Sequence, residues 1–154
     1  MFKPFSLQIL MDLAVHEKES ATLELGKRNK QHHNVEEKLE LLRGYRSDYQ
    51  ARLQVSSKNG MDPAELRNFH EFINKLDEAI AQQLRIVEQS KALVNAGRCE
   101  FDITQRKVKS YSTLQERHEE EQRKIDEKSE QHSQDEFTGR STAIYMHKAG
   151  EQDQ

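Results

Sequence analysis

The sequence predicts an all-α protein folded as a long antiparallel two-helix coiled-coil hairpin, and three observations carry that expectation. Apolar residues recur with a seven-residue period along most of the 154-residue chain. Proline stands at two positions only, Pro4 and Pro63, so long stretches have nothing to interrupt a helix. The composition, 33% charged and 34% hydrophobic with a mean hydropathy of −1.01, is too polar for a compact globule yet too regular for a disordered chain.

Helix one is predicted over about residues 6–56. Ser6, just after Pro4, is a candidate cap. Alternating steps of four and three from Leu7 pass through Met11, Ala14, Lys18, Ala21, Leu25, Arg28, His32, Val35, Leu39, Leu42, Arg46, Tyr49 and Leu53. Ten of these fourteen positions are apolar, which makes one continuous seam. The segment NGMDPAE then predicts a turn over 57–61. Asn59-Gly60 is a turn dipeptide, Asp62 is placed to cap the next helix, Pro63 suits its first turn and Glu65 completes a capping-box spacing. A single continuous helix would avoid this cluster, so the chain is expected to fold back on itself.

Helix two is predicted over about residues 62–135. One stripe repeats every seven residues: Leu66, Ile73, Ile80, Val87, Val94, Phe101 and Val108. Its companion, Phe69, Leu76, Gln83, Ser90, Gly97, Thr104 and Tyr111, is apolar at its ends and small or polar in the middle, so a seam that is weaker, or able to admit another surface, is expected between about 83 and 104. With the bend near 59–60, residue 7 should lie near residue 112. The rest of helix two, residues 115–136, then overhangs; it holds nine acidic and four basic residues and one aliphatic one, Ile125. The residues after Phe137 show no clear repeat, and disorder is expected across 137–154.

Catalytic chemistry finds no support. There is no glycine-rich phosphate loop, no nucleophile with a partnered base, and no cofactor motif. His32 and His33 point about 100° apart on a helix and no further ligands complete a metal set, so His32 reads as a polar seam residue beside an exposed neighbour. Cys99, the lone cysteine, is expected to be a small buried or half-buried thiol; it has no intrachain partner, which fits a reducing compartment. A net charge of −3 argues against nucleic acid as the main partner. No apolar run approaches the roughly 20 residues of a membrane span, and Gln8 and Asp12 interrupt the short apolar start, so a cytoplasmic protein with neither span nor signal peptide is expected.

The segment LRNFHEFINKLDEAI stands apart. A two-helix seam needs Leu66, Ile73 and Ile80 with Phe69 and Leu76, yet Phe72 is off that seam. Phe72, Leu76, Ala79 and Gln83 form a second stripe beside it, with Leu76 common to both. A phenylalanine left on a flank exposes on the order of 150 Å² of apolar surface, which predicts a partner that covers it. The alternative is that Tyr45 or Tyr49 of helix one covers it. Leu84, Ile86 and Leu93 also lie off the seam, which extends the candidate surface along helix two.

The stretch LRNFHEFINKLDEAIAQQ just after a turn, with LELLRGYRSDYQARL in helix one and QRKIDE late in helix two, resembles the FliJ family, small proteins of the bacterial flagellar type III export apparatus. The likeness covers roughly residues 1–136. It implies a hairpin similar to the γ stalk of rotary ATPases, with no enzymatic activity of its own. It also implies binding to the hexameric export ATPase, to the cytoplasmic domain of the export gate and to export chaperones, at the cytoplasmic side of the inner membrane. The family's gate-facing patch falls here on Phe72, Leu76 and Ala79, with Gln83 at its end. Leu7, Met11, Tyr111, His118 and Ile125 are the candidates to face the ATPase ring. A stalk protein of a virulence secretion system and a dimerising coiled-coil scaffold are the alternative readings.

Overall fold

A computed structural model describes residues 3–151. It contains two helices, α1 (Gln8–Lys58) and α2 (Pro63–Glu151), which pack against each other as an all-α helical hairpin. Among the described residues there is no strand. α1 opens where the Leu7 carbonyl accepts the Met11 N–H at 2.9 Å, and Gln8 N–H closes a tight turn on Phe5 O. The Ser6 side chain caps nothing; Leu7 is the residue whose carbonyl starts the ladder. α2 opens at the expected place: Asp62 O accepts Leu66 N–H at 3.1 Å and Pro63 is the first helical residue, where its missing N–H costs nothing.

The bend depends on Gly60. Its φ of 84° is the only positive value at a described residue, and its N–H reaches back to Ser57 O at 3.4 Å. A side chain there would meet no neighbouring atom within 4 Å, so the penalty for replacing it is purely that of the left-handed backbone. Gly60→Ala is therefore expected to destabilise the fold by about 1 kcal/mol, with Gly60→Asn milder, as read from urea denaturation followed by helical circular dichroism.

The chain divides into two compact units. In the unit of residues 15–105, Leu39 of α1 and Ile73, Leu76, Val87 and Val94 of α2 are buried. The seam follows the heptads closely: all fourteen positions stepped out from Leu7 are buried or half-buried in the two units taken together. Leu66 departs from expectation. It is exposed, at the start of α2 beside the bend. Cys99 is also exposed rather than covered, since it falls on the face of α2 opposite the seam.

The middle of this seam is not loose. Gln83 and Ser90 are buried and both are paired: Gln83 Nε2 donates to Val35 O at 2.9 Å, and Ser90 Oγ lies 2.6 Å from His32 Nδ1. Ser90 Oγ also lies 2.7 Å from Val87 O, so the hydroxyl sits between the imidazole and a backbone carbonyl. Arg28 Nη1 donates to Leu93 O at 3.0 Å, and its stem lies against Gly97, whose added Cβ would come within 3.3 Å of Arg28 Cδ and Leu25 Cδ1. Small residues on α2 thus receive long polar ones from α1.

In the unit formed by residues 3–14 and 106–151, Ala14 is buried and Leu7, Met11, Val108 and Tyr111 are half-buried. Gln8 faces Gln115 at 3.5 Å, so the pairing is shifted by about four residues from the predicted match of residue 7 with 112, which would set residue 8 against 111. α2 continues without a break through the segment expected to be disordered, as far as Glu151; residues 152–154 lie outside the described residues. Nothing in 137–151 breaks a helix beyond the isolated glycines Gly139 and Gly150, each of which costs about 1 kcal/mol relative to alanine. The pairs His132–Glu136 and His147–Glu151 span single turns, and Thr142 Oγ1 donates to Thr138 O. This stretch is almost wholly exposed, and Phe137, Ile144, Tyr145 and Met146 all face solvent.

Candidate partner-binding surfaces

Near the bend, helical spacing gathers aromatic residues from both helices. Tyr49 of α1 stacks on Phe72 of α2 with ring centroids 4.2 Å apart and planes 28° apart, and it meets Phe69 at 6.0 Å. The Arg52 guanidinium lies 5.7 Å from the Tyr49 ring centre. Phe72 nevertheless keeps 40% of its surface exposed, with Tyr45, Leu41 and Val55 exposed on α1. Tyr49 therefore covers part of Phe72 and leaves a half-open ring at the surface.

The outward stripe expected from the sequence is corrected at two of its four residues. Leu76 and Gln83 are 8% and 4% exposed, because both belong to the seam, and the Gln83 amide is committed to Val35 O. Ala79 is half-buried beside them. The surface actually offered runs from Phe72 across to Tyr45, Leu41 and Val55, residues of α1 that a search confined to seam positions passes over. Their signal in the sequence is a second apolar spacing on one flank of helix one. Gln83→Leu is expected to leave stability unchanged or slightly raised, since Val35 O keeps its helical partner and an apolar group replaces a buried amide. Thermal denaturation of the full chain reads this directly.

Beside this region, Arg46 bonds Asp77 across the helices and Gln50 along α1. The Asp77 hydrogen bond, and then its charge, raise the Arg46 guanidinium above its ordinary pKa, so this pair stays ionised wherever Asp77 is a carboxylate.

In the unit of residues 3–14 and 106–151, His118 Nε2 lies 2.9 Å from Lys3 O and its ring packs 5.7 Å from that of Phe5. Leu7, Met11 and Tyr111 line the seam there. Ile125 stands apart from them at 57% exposure on a strongly acidic stretch of α2. The five ring-facing candidates therefore do not form one surface: three build the seam, His118 holds the N-terminal segment, and Ile125 alone is free to meet another molecule. Glu116, Glu119, Glu120, Asp126, Glu127 and Glu130 line a shallow open groove around Arg123.

His32 and His33 each pair with a glutamate one turn on, Glu36 and Glu37, both at 2.9 Å. Among the described residues no cluster of three or more histidine, cysteine or acidic side chains is placed to hold a metal, and no helix is long and apolar enough to cross a membrane.

Known proteins share this pattern over most of its length. A sequence-family profile described as "Flagellar FliJ protein" matches residues 2–144. A flagellar FliJ protein of Salmonella typhi is 26% identical over 136 residues, covering 88% of this chain and 92% of the relative. One from Escherichia coli strain K12 is 27% identical over the same extent.

Proposed function

The chain belongs to the FliJ family of flagellar export components, and from that premise we propose that it serves the export apparatus as a non-enzymatic stalk. In this reading it binds the hexameric export ATPase and links it to the cytoplasmic domain of the export gate and to export chaperones. It works in the cytoplasm and reaches the inner membrane only through those partners. The observation that carries the reading is the half-open Phe72, stacked on Tyr49 beside the bend, in a chain that otherwise covers its aromatic seam residues. Such a ring costs free energy in water and repays it when a partner closes over it. Phe72 and the edge of Ala79 form the gate contact, with Leu76 and Gln83 holding them from beneath.

A physical argument supports the stalk role. A ring of six like subunits offers six equivalent inner surfaces. A helix pair with unlike sides cannot meet all six alike, so it favours some subunit states over others, and a ligand shifts an equilibrium only by such differential binding. Ile125 on its acidic helix is the exposed anchor for that contact; Leu7, Met11, Tyr111 and His118 shape the end from which it projects.

The test is direct. The purified full chain is mixed with the hexamer-forming export ATPase, and complex formation and ATP hydrolysis are measured. Co-purification and faster hydrolysis are expected. An ATPase that neither binds nor responds would end the stalk reading. Ile125→Glu is expected to weaken the complex about tenfold, the effect of losing one apolar anchor, while helix content stays the same; unchanged stimulation would move the ring contact elsewhere. Sedimentation of the chain alone separates this reading from a dimerising scaffold, since a hairpin should run as an 18.1 kDa monomer.

A further inference from the structure

Most of the exposed apolar side chains of residues 15–105 lie to one side, Leu23 and Leu84 being apart from it. Phe72, Ala79, Ile86 and Leu93 each stand immediately before a seam residue of α2, at intervals of seven. Tyr45 holds the same place on α1, just before Arg46. In an antiparallel pair these positions of the two helices share one flank, and the contacts agree: Tyr49 stacks on Phe72, and Arg28 bonds Leu93 O. Ile86 and Leu93 remain 37% and 47% exposed. The opposite flank, marked by the Arg46–Asp77 pair, offers one large exposed apolar residue over the same stretch, Leu84.

Charge is sorted with it. Lys27, Lys38, Arg52 and Lys75 border the apolar flank, opposed by Asp48 alone. The other flank carries Glu36, Glu40, Asp77 and Glu88 against Arg43 and Lys91. In a chain of net charge −3, one face is thus both apolar and basic.

We propose that the flank of α2 from Phe72 to Leu93, with Leu41 and Tyr45 of α1, is a docking surface for an acidic amphipathic helix of another protein. A spacing of seven draws one line along a coiled pair, and the apolar seam of a third helix follows the same line. From residue 72 to residue 93 the line is about 32 Å long, or about six turns of a partner helix. The bordering lysines and arginine select glutamates and aspartates beside that seam. A second copy of this chain does not fit. Its acidic stretch, residues 115–136, has Ile125 as its single aliphatic side chain and cannot supply the apolar line. At Phe72 and Ala79 the surface rests on the gate contact proposed above; it extends beyond that contact to Ile86 and Leu93, and its test leaves Phe72 in place.

Two labelled synthetic helices of three heptads, with leucine at both seam positions and either glutamate or lysine on the flanks, are titrated with the full chain and followed by fluorescence anisotropy. The glutamate helix is expected to bind at least about tenfold tighter than the lysine helix, a difference of about 1.4 kcal/mol. Ile86→Gln with Leu93→Gln should cost the glutamate helix about tenfold. Lys38→Glu with Lys75→Glu should reverse the preference; this variant alters only exposed positions and decides the matter should the first one lose its fold. Equal binding of the two helices, or an affinity indifferent to both variants, overturns the proposal. So does self-association of the chain that Ile86→Gln with Leu93→Gln abolishes, which would give the flank to a second copy.

Discussion

Gly97→Leu is expected to destabilise the fold by about 1–3 kcal/mol. The added Cβ alone would stand 3.3 Å from Leu25 Cδ1 and Arg28 Cδ, and three further carbons have no space between them. Arg28 must swing out, which breaks its bond to Leu93 O, a loss of about 1 kcal/mol. Against this stands the better helix propensity of leucine over glycine, about 0.8 kcal/mol, which is smaller than the sum of the losses. Gly97→Ala is the informative control. Its propensity gain of about 1 kcal/mol meets only a contact of a few tenths of an ångström, so it should be near neutral or slightly stabilising. Urea midpoints by far-ultraviolet circular dichroism separate the two variants. A leucine variant as stable as the parent would mean that the helices do not approach closely at Gly97.

Phe72→Ala is expected to separate folding from binding. Losing the stack on Tyr49 costs about 0.5–1.5 kcal/mol, and since Phe72 is only half covered, helix content should persist. At an interface, truncating a central aromatic anchor commonly costs about 2 kcal/mol or more, so under the gate contact we propose, affinity for the export gate's cytoplasmic domain should drop roughly thirtyfold. Isothermal titration of that domain with parent and variant measures the loss. Collapse of helicity would instead place Phe72 in the core, and equal affinities would remove it from the gate contact. Gln83→Leu serves as the companion: its side chain faces α1, so gate binding should not change.

The hairpin was legible because its information is periodic. The fourteen seam positions of helix one repeat so evenly that each is covered in the structure, and Asn59-Gly60 followed by Asp62-Pro63 marks a bend that no continuous helix would contain. What escaped was local. Helix beyond residue 137 has no apolar face to announce it; only the absence of breakers allowed it. Leu66 has the right spacing for the seam but is left exposed beside the bend. The outward stripe from Phe72 to Gln83 failed at Leu76 and Gln83 because a four-three spacing describes a line on a helix without saying which side of the line is already occupied. The polar middle was misread for a related reason. Gln83, Ser90 and Gly97 look like gaps when α2 is read alone; they become sites only when Val35, His32 and Arg28 are set opposite them.

A seam made of leucine alone can creep, since sliding one helix past the other by a heptad, about 10 Å, exchanges like for like. Within residues 15–105 that slide would break the bonds from Arg28, His32 and Gln83 together, at about 1 kcal/mol each, and would leave polar groups facing aliphatic layers. Offset pairings are thereby held roughly a hundredfold rarer than the native one. The helices are keyed like a shaft in its collar, and a push or twist on one is passed to the other without slippage.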